Sequence, residues 1–144
     1  MSEVEAGKQK GEALDRADIR ESREAMSNDS PDLPEVEARA RDYIEGWYTG
    51  NVERMDRALH EALVKRLPGD ESPSLKEVTR NQMLEMTAGG GGKGSDSHFE
   101  VFVDDVSTDI AAARVLSSGY LDYLHLVKTS EGWKIANVLF HRRD

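Results

Sequence analysis

The stretch Tyr120–His141 constrains the fold of this chain more than any other part of the sequence. It predicts two β-strands, because runs rich in Val, Ile, Leu, Tyr and Phe flank a short polar turn that contains Gly132. Side chains alternate between the two faces of a strand, so Ile135 and Leu139 would face one way and Phe140 the other. Both faces of the second strand would then be apolar. We therefore expect the chain's own helices to cover one face and a partner subunit to cover the other.

Composition and charge exclude several classes of partner. The 144 residues include 19 Lys and Arg against 28 Asp and Glu, which gives a net charge of −9. Nucleic acids and anionic membranes attract basic surfaces, so neither is an expected partner. No apolar run reaches the roughly 18 residues of a membrane span, and the N-terminus lacks the apolar segment of a secretory signal. The chain has no cysteine, which removes disulfides and thiolate metal sites, and we expect a cytoplasmic protein.

The sequence divides into an N-terminal extension and one folded domain. Residues 1–33 are rich in charge and have no sustained apolar stripe, so we predict a mobile or loosely docked extension. Residues 12–26 within it could form a helix with ion pairs at i,i+4 spacing, and a partner-binding arm is the alternative interpretation. The domain proper covers 34–144 and is long enough to form a hydrophobic core.

Three helices are expected at the start of this domain. The first carries an apolar stripe at helical spacing and ends at Gly50. Its stripe consists of Val36, Ala40, Tyr43, Ile44 and Trp47. A second helix is expected to end before Pro68. Its stripe consists of Val52, Met55, Leu59 and Leu63. The third helix is predicted over residues 80–88, after an extended segment at 75–78, because Thr79 and the glutamine three residues later have the spacing of a capping box.

The pattern changes to strands in the last third of the chain. Residues 99–103 and 110–116 predict two strands, and the hairpin at 120–141 supplies a third and a fourth. Helices followed by an antiparallel meander indicate the α+β class. We predict three N-terminal helices packed on one face of a curved, antiparallel, four-stranded sheet, which together form a cone with an interior.

Several blocks of this sequence, taken in order, resemble one superfamily. They are YIEGWYTGNVERMDRALH at 43–60, LKEVTRNQMLEMTAGG at 75–90, DYLHLVK at 122–128 and WKIANVLF at 133–140. Together they resemble the nuclear transport factor 2-like superfamily, and more closely its branch labelled putative lumazine-binding. The resemblance covers 35–141 and implies a cystatin-like α+β cone that forms homodimers through the open face of its sheet. The superfamily includes isomerases, dehydratases, cyclases and transport subunits, so the resemblance implies no single activity.

The interior of the cone is the expected ligand site, because small-molecule sites are concave and mostly apolar with a few convergent polar groups. We expect a small apolar or carbonyl compound there. The side chains predicted to line the pocket are Tyr43, Trp47, His60, Tyr123, His125 and Asn137. Acid–base chemistry on a carbonyl compound needs a base and a donor to the developing oxyanion. His125 or His60 is the predicted catalytic base, and Tyr123 or Tyr43 the predicted donor.

Asp122 and His125 are close enough in sequence to suggest a catalytic pair, but strand alternation places them on opposite faces. At most one of them reaches the pocket, and we favour His125. For Asp122 we expect a structural role, with Arg114 or a backbone group as its partner. Isomerases of the superfamily use a pocket aspartate as base. The candidate here, Asp56, lies between two arginines, which indicates a solvated face and not the pocket. The chain therefore departs from the isomerase pattern, and isomerase activity is less expected.

Neither a metal nor a cofactor is expected. The four histidines lie on four different elements without the spacing of metal ligands, and the glycines at 89–92 lack the spacing of a phosphate-binding loop. Three functions remain open: a small-molecule-binding protein, a cofactor-free lyase or isomerase with a pocket His/Tyr pair, and a non-catalytic dimeric interaction module. An open pocket would favour the first two, and an interior filled by the chain's own side chains would favour the third.

Overall fold

The computed structural model describes residues 16–19, 29–95 and 98–143. Most of the predicted extension at 1–33 lies outside the described residues, although 16–19 are helical. The elements in the described ranges are α1 Leu33–Thr49, α2 Val52–Ala58, β1 Leu59–Pro68, β2 Leu75–Val78, α3 Arg80–Ala88, β3 Phe99–Val106, β4 Ile110–Ser117, β5 Tyr120–Thr129 and β6 Gly132–Arg142.

All six strands belong to one sheet with the order β2-β1-β6-β5-β4-β3. β1 runs parallel to β6, and the other neighbouring strands are antiparallel. α1 packs against β3, β4 and β6, and α3 against β1. The prediction of an α+β domain with helices on a curved sheet is confirmed. The prediction of four antiparallel strands is wrong, because β1 and β2 extend the sheet beyond β6.

The second predicted helix is only half as long as its apolar stripe indicates. α2 ends at Ala58, and the chain continues as strand β1. Residues four apart share a face on a helix and also on a strand, since four is close to one helical turn and is an even number. Leu59 and Leu63 are therefore compatible with either structure. Pairing decides the outcome, because Lys65 lies opposite Val138 of β6 and opposite Val78 of β2.

A β-bulge in β6 removes the two apolar faces that the sequence predicts for this strand. His125 pairs with Asn137 whereas Leu126 pairs with Ile135, so Ala136 is the extra residue. An extra residue reverses the alternation beyond it. Ile135 and Phe140 therefore lie on the same face, and both are buried. The expectation that they face opposite ways is wrong, although strand β5 alternates as predicted.

The inner face of the sheet and the apolar stripe of α1 form the core. The buried members of that stripe are Val36, Ala40, Tyr43 and Ile44. As predicted, α1 ends at Gly50, which has a left-handed φ of 66°. The predicted capping box of α3 is confirmed, with reciprocal hydrogen bonds between Thr79 and Gln82. Local sequence signals thus place these two helix ends correctly.

Asp42 ties α1 to α2. Its buried carboxylate accepts hydrogen bonds from Arg54 at 2.9 Å and from Arg57 at 2.8 Å. It also pairs with Arg39 at 3.2 Å. Burial alone would raise the pKa of Asp42, but the three guanidinium groups outweigh it and hold the pKa below its ordinary value. Asp42 is therefore ionised at neutral pH and links the two helices through charge-assisted hydrogen bonds.

No helix in the described part of the chain is long and apolar enough to cross a membrane.

Candidate functional site

A cavity of about 450 Å³ opens between α1, α3 and the inner face of the sheet. This volume lies within the range of small-molecule sites. Its apolar wall comes from Ile44, Trp47, Leu67, Met83 and Phe140. Tyr120 continues this wall, because its ring contacts those of Trp47 and Phe140 edge-on. The cavity therefore offers an aromatic surface to a flat apolar ligand.

Three polar side chains from three different elements meet in this cavity. The Tyr43 hydroxyl of α1 donates a hydrogen bond to Asp122 Oδ2 of β5 at 2.7 Å. Lys65 Nζ of β1 donates to the same hydroxyl at 2.6 Å. All three residues are buried, with 3%, 2% and 6% of their surfaces exposed for Tyr43, Asp122 and Lys65. A chain of hydrogen bonds thus joins an amine to a carboxylate through a phenol.

The surroundings of Lys65 are unusually apolar for an amine. Its Nζ lies 3.2 Å from Met83 Sδ and 4.5 Å from the centre of the Phe140 ring. Among the described residues it makes no direct ion pair, and Asp122, whose charge acts on its pKa, is linked to it through the Tyr43 hydroxyl. Lysines are almost never this buried without a paired carboxylate. Lys65 is therefore not part of an ordinary structural ion pair.

Burial shifts the pKa values of all three groups. It lowers the pKa of Lys65 to about 8, although the negative charge of Asp122 acts in the opposite direction. Burial also raises the pKa of Asp122, against the opposing effects of Lys65 and Tyr43. The pKa of Tyr43 rises well above its ordinary value because of burial and the adjacent Asp122 charge. Tyr43 therefore keeps its proton at neutral pH, whereas Lys65 loses its proton near pH 8.

The mouth of the cavity carries charges of both signs. Exposed side chains of β2, α3 and β6 line it, among them Lys76, Glu77, Glu85 and Arg142. Lys76 pairs with Asp70 at 3.2 Å. This mixed rim gives no strong preference for either sign of ligand charge. Selection within the cavity therefore depends on the apolar wall and the buried polar groups.

Two of the predicted pocket residues, Tyr43 and Trp47, line this cavity. His60 lines a second depression of about 400 Å³ at the other end of β1, with Arg80 and Lys134. There His60 Nδ1 accepts a hydrogen bond from the backbone N–H of Ala62 at 2.9 Å. Tyr43 and His60 therefore do not meet in one site.

The other predicted residues lie on the outer face of the sheet. Tyr123 is 48% exposed, and His125 is exposed beside Asn137, whose Nδ2 lies 3.1 Å from His125 Nδ1. Strand β5 alternates, so the face that buries Asp122 turns Tyr123 and His125 outward. The expectation that His125 enters the pocket and Asp122 does not is the reverse of the observed arrangement.

Sequence reasoning missed Lys65 and underrated Asp122. Lys65 falls in the half of the predicted second helix that is in fact strand β1. Arg114, the expected partner of Asp122, instead pairs with Asp104 on the outer face at 3.0 Å. The sequence did contain a signal for Asp122, because strand alternation places it on the same face as the apolar residues Leu124 and Leu126. No local signal marks Lys65, since its burial depends on pairing with a strand about 70 residues away.

Within the described ranges, no group of three or more His, Asp or Glu side chains is placed to hold a metal ion.

Fold and cavity together define an α+β domain with a ligand-sized interior. The chain belongs to the family described as putative lumazine-binding, whose sequence model matches residues 31–141. The resemblance recognised in the sequence blocks is thereby confirmed. No protein with a curated description matches the chain significantly.

Solved structures with the same fold are numerous and distant in sequence. A nuclear transport factor 2-like protein of unknown function from Silicibacter pomeroyi has a TM-score of 0.66 and 16% identity, with 77% of this chain and 95% of that one covered. Another from Methylobacillus flagellatus has a TM-score of 0.62 and 18% identity, with coverage of 83% and 99%. A ketosteroid isomerase-like protein from Erwinia carotovora atroseptica has a TM-score of 0.60 and 18% identity, with coverage of 80% and 98%. At these identities the similarity shows the shared fold alone.

Proposed function

We propose that the cavity binds a small molecule with a flat apolar body and one hydrogen-bonding oxygen. The observation that carries this proposal is the open cavity of about 450 Å³ in which Lys65, Tyr43 and Asp122 meet. Buried polar groups are costly to assemble when they serve only stability. Their position at a cavity, and not in a filled core, favours a role in recognition.

Lys65 is the anchor in this proposal. An ammonium group has three N–H donors, of which one goes to Tyr43 and a second to the weakly accepting sulfur of Met83. A ligand oxygen can take the third donor. The aromatic wall formed by Trp47, Tyr120 and Phe140 would contact the body of the ligand. Lumazine, after which the family is described, is a flat bicyclic carbonyl compound and serves as a probe of suitable size.

Two other functions receive less support. An interaction module with an interior filled by its own side chains is disfavoured by the volume of the cavity. A lyase or isomerase with a His/Tyr pair is disfavoured because, of the described histidines, none lines this cavity. Tyr43 and Asp122 could still serve a carbonyl reaction as donor and acceptor. Binding is therefore the function that the geometry supports best.

The test is titration of the ¹⁵N-labelled protein with lumazine and with 2-naphthol, followed by NMR. We expect shifts at Tyr43, Lys65 and Phe140, with no change at Tyr123 on the outer face. Lys65→Met should weaken lumazine binding by about tenfold or more, because a hydrogen bond to a charged donor contributes about 1.5–3 kcal/mol. Lys76→Met, at the rim of the same cavity, is the matched control and should bind normally.

If Lys65→Met and Lys76→Met weaken lumazine binding equally, the proposed role of Lys65 as the anchor is contradicted. Shifts confined to the outer face, around Tyr123, would contradict the proposed site itself.

We further propose that the outer face of the sheet pairs with a second copy of this chain. Four of the large exposed apolar side chains lie on this one face: Phe102, Ile110, Tyr123 and Leu139. A cluster of this kind on one face is typical of an interface. A two-fold dimer brings the same patch together from both subunits and needs no other partner. In this proposal Leu139, and not Phe140, is the residue of β6 that faces the partner, because Leu139 is exposed on the outer face beyond the bulge at Ala136.

A further inference from the structure

We propose that Lys65 is a nucleophile that captures aldehydes and ketones as an imine inside the cavity. This inference rests on the proposed function, because the carbonyl compound must enter the same cavity, and it names the chemical class of the ligand. It assigns to Lys65 a covalent role in addition to hydrogen bonding.

The position of Lys65 is the first argument. Lys65 lines the cavity, so a bound carbonyl compound can approach its side chain. Several other described lysines are engaged elsewhere: Lys76 Nζ with Asp70, Lys128 Nζ with Asp32, and Lys134 Nζ with the backbone carbonyl of Arg57. Lys65 alone among these four is buried, with a phenol in place of a carboxylate as its nearest polar partner. An amine in such an apolar site is the usual setting of an imine-forming lysine.

The protonation state of Lys65 also supports its role as a nucleophile. Only the neutral amine attacks a carbonyl carbon, and burial lowers the pKa of Lys65 to about 8. At pH 7.5 roughly a quarter of the molecules then carry the neutral amine, whereas about one in a thousand would do so at the ordinary pKa of an exposed lysine. The gain in reactive amine is therefore more than a hundredfold.

Imine formation needs proton transfers and the loss of one water molecule, and the cavity contains groups that can support both. The lone pair of Nζ forms a bond to the carbonyl carbon, and the carbonyl oxygen takes up a proton to give a carbinolamine. Loss of the two original N–H hydrogens together with that oxygen as water leaves the C=N bond. The Tyr43 hydroxyl, 2.6 Å from Nζ, is placed to pass a proton between the amine and the leaving oxygen. Asp122, which accepts a hydrogen bond from Tyr43 at 2.7 Å, stabilises the positive charge of a protonated imine.

The walls of the cavity define the carbonyl compounds that fit. Trp47, Tyr120 and Phe140 favour an aromatic or otherwise flat apolar body. A volume of about 450 Å³ admits one or two fused rings with short substituents. Aromatic aldehydes and small aryl ketones are therefore the preferred class.

Reductive trapping tests the proposal on the full chain. The protein is incubated with limiting benzaldehyde and sodium cyanoborohydride at pH 8, and the modified lysine is identified by peptide mass spectrometry. Among the lysines, we expect Lys65 to carry most of the benzyl groups, at least tenfold more than Lys76. In Lys65→Met this fast modification should be lost, whereas Lys128→Arg, outside the cavity, should retain it.

The positions of the benzyl groups in the protein of natural sequence decide the question even if Lys65→Met fails to fold. Benzyl groups spread over exposed lysines, with Lys65 unmodified, would overturn the proposal. If lumazine still shifts the resonances of Tyr43 and Phe140 in that case, the binding function stands and only the imine fails. If lumazine causes no such shifts and Lys65 is also unmodified, both proposals fail together.

Discussion

Replacement of Lys65 by methionine should remove a specific pH dependence from the stability of this protein. In the folded state the pKa of Lys65 is about 8, whereas in the unfolded chain it has the ordinary value of 10.5. Between these values the unfolded state binds more protons than the folded state, so stability rises with pH. Below pH 8 the folded protein carries the full cost of a buried ammonium group. Methionine has a similar length and carries no charge at any pH.

The size of the effect follows from this shift. A displacement of one pKa unit corresponds to about 1.4 kcal/mol, so the whole shift of Lys65 corresponds to about 3 kcal/mol. About 2 kcal/mol of this should appear between pH 8 and pH 10. Above pH 10 the opposite effect of Tyr43 begins, because its folded-state pKa is raised and ionisation of the unfolded tyrosine then favours unfolding. The measurement is therefore best confined to the range from pH 7 to pH 10.

Urea unfolding followed by circular dichroism at pH 7, 8, 9 and 10 measures the effect. The free energy of unfolding of the natural sequence should rise across this range, and that of Lys65→Met should stay nearly level. Lys76→Met, which removes an exposed lysine, should keep the rise. Parallel curves for the natural sequence and Lys65→Met would show that Lys65 keeps an ordinary pKa, and would remove the support that its titration gives to imine formation.

Three further substitutions test the link between α1 and α2 and the two faces of the sheet. Asp42→Asn should lower the free energy of unfolding at pH 7 by about 1.5–3 kcal/mol, measured in urea, because it removes the charge of a buried carboxylate that accepts hydrogen bonds from two partly exposed guanidinium groups. Glu37→Gln, which alters an exposed ion pair of α1, is the control. Equal small losses in the two variants would contradict the role of Asp42. Leu139→Asp should convert a dimer to monomers in sedimentation while the fold is retained. Val138→Asp should unfold the chain, because Val138 is 1% exposed on the inner face. A folded Val138→Asp monomer, or a Leu139→Asp chain that unfolds, would reverse the assignment of the two faces.

Some site positions follow from local sequence and others from long-range pairing. The stripe of α1 places Tyr43 and Trp47 at the interior without knowledge of the rest of the fold. Alternation in β5 separates Asp122 from His125 correctly, but nothing within the strand says which of the two sets faces the helices. The choice of His125 therefore failed for a physical reason: a local pattern fixes which residues share a face, and packing fixes which face is inside.

The sequence by itself determined the class of the fold, the cap of α3 at Thr79, the end of α1 at Gly50 and the hairpin that organises the sheet. Each of these depends on interactions between residues near one another in the chain. The tertiary structure alone decided that the stretch from Leu59 is a strand, that Ala136 forms a bulge, and that Lys65 meets Tyr43 and Asp122. In those cases the local pattern is compatible with two structures, and hydrogen bonding to a distant strand selects one. The candidate site is built from that second group, because its three polar residues come from distant parts of the chain.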